Sequence, residues 1–182
     1  AGTHAAQPAA DRVPPAEGPV FVLAGSLSPV TARQIQAAKS FERLQIDAGR
    51  LARREPAYID ALLAQVLAPL ERGTHVLAQT APADGAPGGD VSKRDLATAC
   101  GTFIARLLEK KRLRRVGIAG GDTSSYTLKA LDVWGLSYVG ALAAGAALCR
   151  AHASSHLDGI ELMLKGGQMG PPDVFERLVR GV

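Results

Sequence analysis

Three segments of this 182-residue chain pair glycine with hydroxyl or amide side chains in a way suited to holding an anion: Gly25-Ser26-Leu27-Ser28-Pro29-Val30-Thr31, Gly120-Gly121-Asp122-Thr123-Ser124, and Lys165-Gly166-Gly167-Gln168-Met169-Gly170. Glycine lets a backbone approach a ligand closely, and a helix opening just after it directs free N–H groups at negative charge. The hydroxyls of Ser26, Ser28, Thr123 and Ser124 add donors. Asp122 would repel a bare phosphate, so its chemical use in such a turn is to hold Mg²⁺, directly or through water. Lys165 could neutralise phosphate, and an adenine ring could lie on the open backbone around Gly167.

Each turn also has a purely structural reading. Ser28-Pro29 is an ordinary helix cap and first helical residue. Asp122 or Thr123 could cap a helix starting near Ser124. Lys165 could be a solvated lysine in a glycine-rich link. What favours the chemical reading is shared position, since each turn follows an apolar run that reads as a strand.

Those runs are Val20–Ala24, Val116–Ala119 and Ile160–Leu164; His75–Gln79 and Tyr138–Leu142 read as further strands, and Leu44–Ile46 as a weak one. Helical spacing predicts helices from Pro29 to about Lys39 and from Ala57 to Leu70, the latter stopped by Gly73. Further helices are expected from Ser92, as cap, to about Arg112, from about Ser124 to Leu131, and from Pro172 to Val179. Strands alternating with helices imply a three-layer α/β/α, Rossmann-like fold on a mostly parallel sheet, with ligands bound outside the carboxyl ends of the strands. Residues 1–19, rich in Ala and Pro, read as a linker or extended lead-in, and 20–182 as the domain. A Gly/Pro-rich loop spans about residues 80–91.

Composition narrows the function class. A hydrophobic content of 47% with 21% charged residues describes a folded domain, and only 4% aromatics argues against stacking platforms for single-stranded nucleic acid. The basic run Lys110-Lys111-Arg112-Leu113-Arg114-Arg115 reads better as cations ending a helix than as a nucleic-acid patch. Cys100 and Cys149, far apart, form neither a disulfide framework nor a metal pattern, which fits a reducing cytoplasm. No signal peptide is legible, and the uncharged run Val133–Cys149 is short for a membrane span and broken by glycines, reading as strand and loop. The chain begins at Ala1 rather than methionine, as a piece of a longer protein would.

Walker-type Gly-x-x-x-x-Gly-Lys, dinucleotide Gly-x-Gly-x-x-Gly and nucleophile-elbow Gly-x-Ser-x-Gly segments do not occur in the sequence. His152 and His156 have the spacing of helical metal ligands, but Ser154, Ser155 and Gly159 speak against a helix there.

Taken in order, the three turns resemble those of the C-terminal nucleotide-binding domain of the four-carbon acid sugar kinase family, over about residues 20–180. Gly25 to Thr31 is similar to its Gly-Ser-x-Ser-x-x-Thr turn. Gly120 to Ser124 is similar to its Gly-Gly-acid-Thr-Ser turn, and Leu164 to Gly170 to its Leu-Lys-x-Gly-amide-x-Gly turn. The stretch from Leu142 to Leu157 departs from the Pro/Gly-rich form of the family. The resemblance implies ATP as cofactor, bound by the Ser26/Ser28 turn, by Gly120, Gly121, Asp122 and Thr123, and by the amide of Gly167. It further implies a four-carbon sugar acid as acceptor, held by an N-terminal domain that residues 1–19 cannot supply, so that the catalytic base lies outside this chain and the piece alone is inactive. A second copy of the chain is a further candidate partner; nucleic acid and membrane are not. A non-catalytic nucleotide-sensing module and a transferase using another phosphorylated metabolite are the alternatives.

Overall fold

A computed structural model describes residues 12–26, 28–80 and 91–182. Most of the expected linker, Leu27 of the first turn and most of the loop at 80–91 lie outside the described residues. The fold is built on one seven-stranded sheet in the order β2-β3-β1-β4-β7-β6-β5. Its strands are β1 (Phe21–Ala24), β2 (Phe41–Gln45), β3 (His75–Gln79), β4 (Arg115–Ala119), β5 (Gly135–Ala143), β6 (Ala146–His152) and β7 (Glu161–Lys165). The five strands from β2 to β7 are parallel; β6 and β5 add an antiparallel hairpin at one edge.

The central parallel strands β3, β1, β4 and β7 are buried on both faces, and alternate residues serve different layers, whereas the edge strand β2 exposes Glu42, Arg43 and Gln45. Phe21 and Leu23 of β1 join a core with Leu62 and Val66 of α3 (Pro56–Glu71) and with Phe103 and Leu107 of α4 (Lys93–Lys110). Val20, Val22 and Ala24 face the opposite core, with Ile35 of α1 (Pro29–Ala37) and Phe175 and Leu178 of α6 (Val174–Arg180). This is the three-layer α/β/α arrangement. Gly117 makes the second layer tight: a Cβ there would lie 2.7 Å from Leu178 Cδ2 and 3.0 Å from Val22 Cγ2.

Several segments depart from the sequence reading: β2, expected at Leu44–Ile46, begins three residues earlier, at Phe41. Ala48–Ala52 forms a short helix, α2, capped by Asp47, which is too short to show a period. The run Val133–Cys149 is not strand and loop but most of the β5–β6 hairpin, turning at Ala144-Gly145; its small residues mask the alternation that would have marked β6. That places His152 on a strand, with Nε2 2.9 Å from Ser137 Oγ, and His156 in the following turn rather than on a shared helix. Finally, α5 begins at Gly121 and runs to Ala130, three residues earlier than expected.

The basic run is divided by the fold. Lys110 ends α4, whereas Arg115 starts β4 and is only 2% exposed. Arg115 pairs with Glu161 opposite it on β7, Nη2 to Oε2 at 2.6 Å, and donates through Nη1 to the carbonyls of Pro14 (3.0 Å) and Leu178 (2.9 Å). The described part of the lead-in thus lies against α6, with Val13 buried and Ala16 N donating to Val179 O at 2.7 Å.

Candidate functional site

Strands β1, β4 and β7 are neighbours in the sheet, so the three glycine turns that follow them lie side by side at its carboxyl edge. The backbone stitches them together: Gly25 N donates to Ala119 O and Gly120 N to Lys165 O, both at 2.9 Å. The chain leaves β1 toward β2 and β3 on one side and returns through α4 to β4 on the other. The edge between β1 and β4 is therefore a topological switch point, where a crevice opens.

That crevice is a cleft of about 290 Å³ lined by Gly25, Ser26, Lys93, Leu96, Ala97, Gly120, Gly121, Asp122, Thr123 and Gly167. Six of the seven residues singled out from sequence meet there. Ser28 does not line the cleft: its hydroxyl accepts from Val30 N (3.1 Å), capping α1, and donates to Gln168 Oε1 (3.0 Å). Ser26 is the serine of this turn that faces the cleft, and it accepts from Ser28 N at 3.2 Å.

The middle turn is shaped by Gly120. It takes φ +134° and ψ 130°, and a Cβ on it would lie 3.0 Å from Thr123 Oγ1 and 3.4 Å from Ser26 N. Gly120 occupies the cap position of α5 and brings no side chain to bond the N–H groups of the first turn; Ser125 Oγ donates to Gly121 O at 3.0 Å. Neither Asp122 nor Thr123 caps a helix, contrary to the structural reading of this segment. The N–H groups of Gly121, Asp122 and Thr123 thus belong to a first turn that lacks intrahelical acceptors. Thr123 is buried, its hydroxyl filling the space that a Cβ on Gly25 would need; Asp122 and Gly121 are exposed on the cleft wall. A Cβ on Gly121 would meet no protein atom within 4 Å.

The third turn is braced from α1 and from beneath. Thr31 Oγ1 donates to Gly167 O (2.8 Å), and Gln34 Nε2 donates to the carbonyls of Met169 and Gly170 (2.9 Å each) and Pro171 (3.1 Å). Gly167 packs on Ser26 so closely that a Cβ would collide with Ser26 Oγ. Lys165 is neither a solvated side chain nor a cation facing the cleft. It is 1% exposed, and its Nζ donates to Gly166 O (2.8 Å) and Met169 O (3.1 Å), with Thr31 Oγ1 at 3.4 Å. Burial pushes its pKa down to about 8, which leaves it protonated and donating at pH 7.

Sequence reasoning missed the fourth wall. Lys93, Leu96 and Ala97 come from the first turns of α4, which follows β3, the other neighbour of β1. Ser92 caps that helix as expected, accepting from Asp95 N at 3.4 Å. The signal was in the sequence, a capped helix following a strand, but the adjacency of β3 to β1 is a tertiary fact. Asp122 is the carboxylate of the cleft lining, and among the described residues no cluster of three or more His, Cys, Asp or Glu could hold a metal ion by itself. One exposed carboxylate suits a Mg²⁺ ion that arrives on phosphate oxygens and keeps most of its water.

The geometry has counterparts among known proteins. Residues 21–175 match the family described as the nucleotide-binding C-terminal domain. The chain is 35% identical over 189 aligned positions to a 3-oxo-isoapionate kinase of Paraburkholderia graminis, and 33% identical over 182 to a 3-oxo-tetronate kinase of Cupriavidus necator. In each case the match takes in 92% of this chain but only 40% and 39% of the relative, so the chain spans well under half the length of these enzymes. A crystal structure of a Haemophilus influenzae protein superposes with a TM-score of 0.76 at 25% identity, over 92% of this chain and 41% of that one. A domain of unknown function from Bordetella bronchiseptica, solved with bound citrate as a domain-swapped dimer, gives 0.70 at 25% identity, over 91% and 41%. With its turns in family order around one cleft, this chain belongs to the nucleotide-binding C-terminal domains of the four-carbon acid sugar kinase family.

Proposed function

We propose that the chain is the nucleotide-binding half of an ATP-dependent kinase that phosphorylates a four-carbon sugar acid of the erythronate, threonate or 3-oxo-tetronate type. The observation that carries this reading is the convergence of three glycine turns, from β1, β4 and β7, on one cleft beside the uncapped first turn of α5. The names of the kinase relatives support the reaction class.

In this reading the N–H groups of Gly121, Asp122 and Thr123 and the amide of Gly167 bind phosphate oxygens, and the hydroxyl of Ser26 adds a donor. Ser28 and Thr31 hold the first and third turns together, so that the amides do not reorganise as charge develops. Asp122 would hold Mg²⁺ through its carboxylate. A bound ion would supply charge neutralisation, the main requirement of phosphoryl transfer beyond positioning. The acceptor sugar acid and the base that takes its proton belong to an N-terminal domain beyond the 20–182 unit, and a cytoplasmic setting agrees with the two free cysteines, Cys100 and Cys149. The domain-swapped Bordetella neighbour supports self-association of the whole enzyme.

Calorimetry of the chain with ATP–Mg²⁺ and ADP–Mg²⁺ tests the nucleotide site, and a coupled assay of the full-length protein with 3-oxo-tetronate tests the acceptor. Saturable nucleotide binding by the chain without turnover, and turnover by the full-length enzyme, are expected. No binding at millimolar nucleotide overturns the reading.

A further inference from the structure

We infer that Lys93 is the cation that binds the nucleotide phosphates in this cleft, an assignment that rests on the nucleotide reading above. An ATP polyphosphate carries several negative charges, and amides and hydroxyls alone do not neutralise them. Lys165, the lysine of the third turn, is committed beneath that turn to the carbonyls of Gly166 and Met169. Among the described residues that line the cleft, the charged side chains are Asp122 and Lys93, and Lys93 alone is positive. It joins the cleft lining from α4, whereas the Gly120–Thr123 turn follows β4 and opens α5.

Its position in α4 is consistent with an anion as partner. Lys93 is the first helical residue, directly after the Ser92 cap, where the partial positive charge of the helix end disfavours a cation. Asp95 in the same turn offsets part of that cost in the free protein, and an anion bound in the cleft would offset it further. The long, flexible stem of lysine suits a point-charge contact with phosphate from a helix end.

The test compares Lys93→Met, Lys93→Glu and Lys93→Arg with the unaltered chain, using ATP–Mg²⁺ and adenosine as probes in calorimetry, with melting curves of each free protein. Loss of one charged hydrogen bond to phosphate predicts that Lys93→Met weakens ATP binding by about ten- to a hundredfold. Adenosine affinity should stay unchanged, Lys93→Glu should be worse than Lys93→Met, and Lys93→Arg should recover most of the ATP affinity. The dependence of ATP affinity on salt should become shallower in Lys93→Met, and the free protein should melt at the same temperature or slightly higher. ATP affinity unaltered in both Lys93→Met and Lys93→Glu overturns the assignment. So does an equal loss for ATP and adenosine, because adenosine has no phosphate whose contact could be lost. If the unaltered chain binds neither probe, it is the nucleotide reading that falls, and Lys93 with it.

Discussion

Asp122 and Gly121 adjoin in the first turn of α5 and are open to the cleft, while Thr123 beside them is buried as a spacer between two glycines. Since no side chain caps this helix, the carboxylate of Asp122 has no capping duty to lose. Asp122→Asn is therefore expected to shift the melting temperature by no more than about 2 °C, the usual reach of an exposed substitution in a chain of this size. In the full-length kinase the same change should lower kcat by about tenfold or more and raise the Mg²⁺ concentration needed for half-maximal rate, because charge neutralisation counts most in the transition state. Near-normal kcat at ordinary Mg²⁺ would show the carboxylate to be idle. The glycines divide similarly. Gly167→Val is an ambiguous probe, because its side chain would collide with Ser26 whether or not ATP binds. Gly121→Val is the cleaner one, since nothing in the protein lies within 4 Å of the added Cβ. It should fold with unchanged or slightly higher stability, glycine being the poorer helix former, while the KM for ATP rises severalfold; an unaltered KM would move the phosphate away from this turn.

At the scale of elements, the cleft depends on α1 gripping the loop after β7. Thr31 and Gln34 reach that loop from one face of α1, and Lys165 gathers its carbonyls from below. The buried ammonium sets a pH dependence whose sign follows from its depressed pKa. Below about pH 8 the lysine is protonated in both folded and unfolded chains, and its contribution is constant. Between about 8 and the ordinary 10.5 the unfolded chain binds more protons than the folded one, so raising pH through this window stabilises the folded state at this residue. Lys165→Met lacks the effect. The melting temperature of the unaltered chain minus that of Lys165→Met should increase from pH 8 to pH 10.5, a flat difference counting against a depressed pKa in the folded chain. The same element logic explains an error of sequence reading: lysine in a glycine-rich loop suggests a solvated or ligand-facing charge, but a loop that turns its carbonyls inward requires a donor beneath it.

Across the whole molecule, the two ends of the sheet carry different duties. The carboxyl end bears the cleft, and the amino end bears the Arg115–Glu161 pair, which also fastens the lead-in at Pro14 and α6 at Leu178. Removing Arg115 leaves the largely buried Glu161 only its longer contact to Arg150 (3.7 Å) and strips the carbonyls of Pro14 and Leu178 of their donor, and such losses run to about 3 kcal/mol. Arg115→Ala should thus lower the melting temperature by roughly 6–12 °C at this chain length while leaving ATP affinity of the folded protein within about twofold. A selective loss of ATP affinity without a change in melting would contradict the division between the two ends.

The amino-acid sequence by itself determined the layer architecture and the placing of glycine-rich turns after strands. Apolar runs such as Phe21–Ala24 and Val116–Ala119 are continuous because strands covered on both faces need no polar side, and glycine after a strand reports a backbone demand that no other residue meets. These are local constraints, written within a few consecutive residues. Tertiary structure alone decided which turns meet. The order β3-β1-β4-β7 brings together residues more than a hundred positions apart, selects Ser26 over Ser28, buries Lys165 and recruits Lys93 from α4. Strand order and side-chain burial arise from the packing of distant segments against one another, and a local pattern of residue types carries no record of its eventual neighbours.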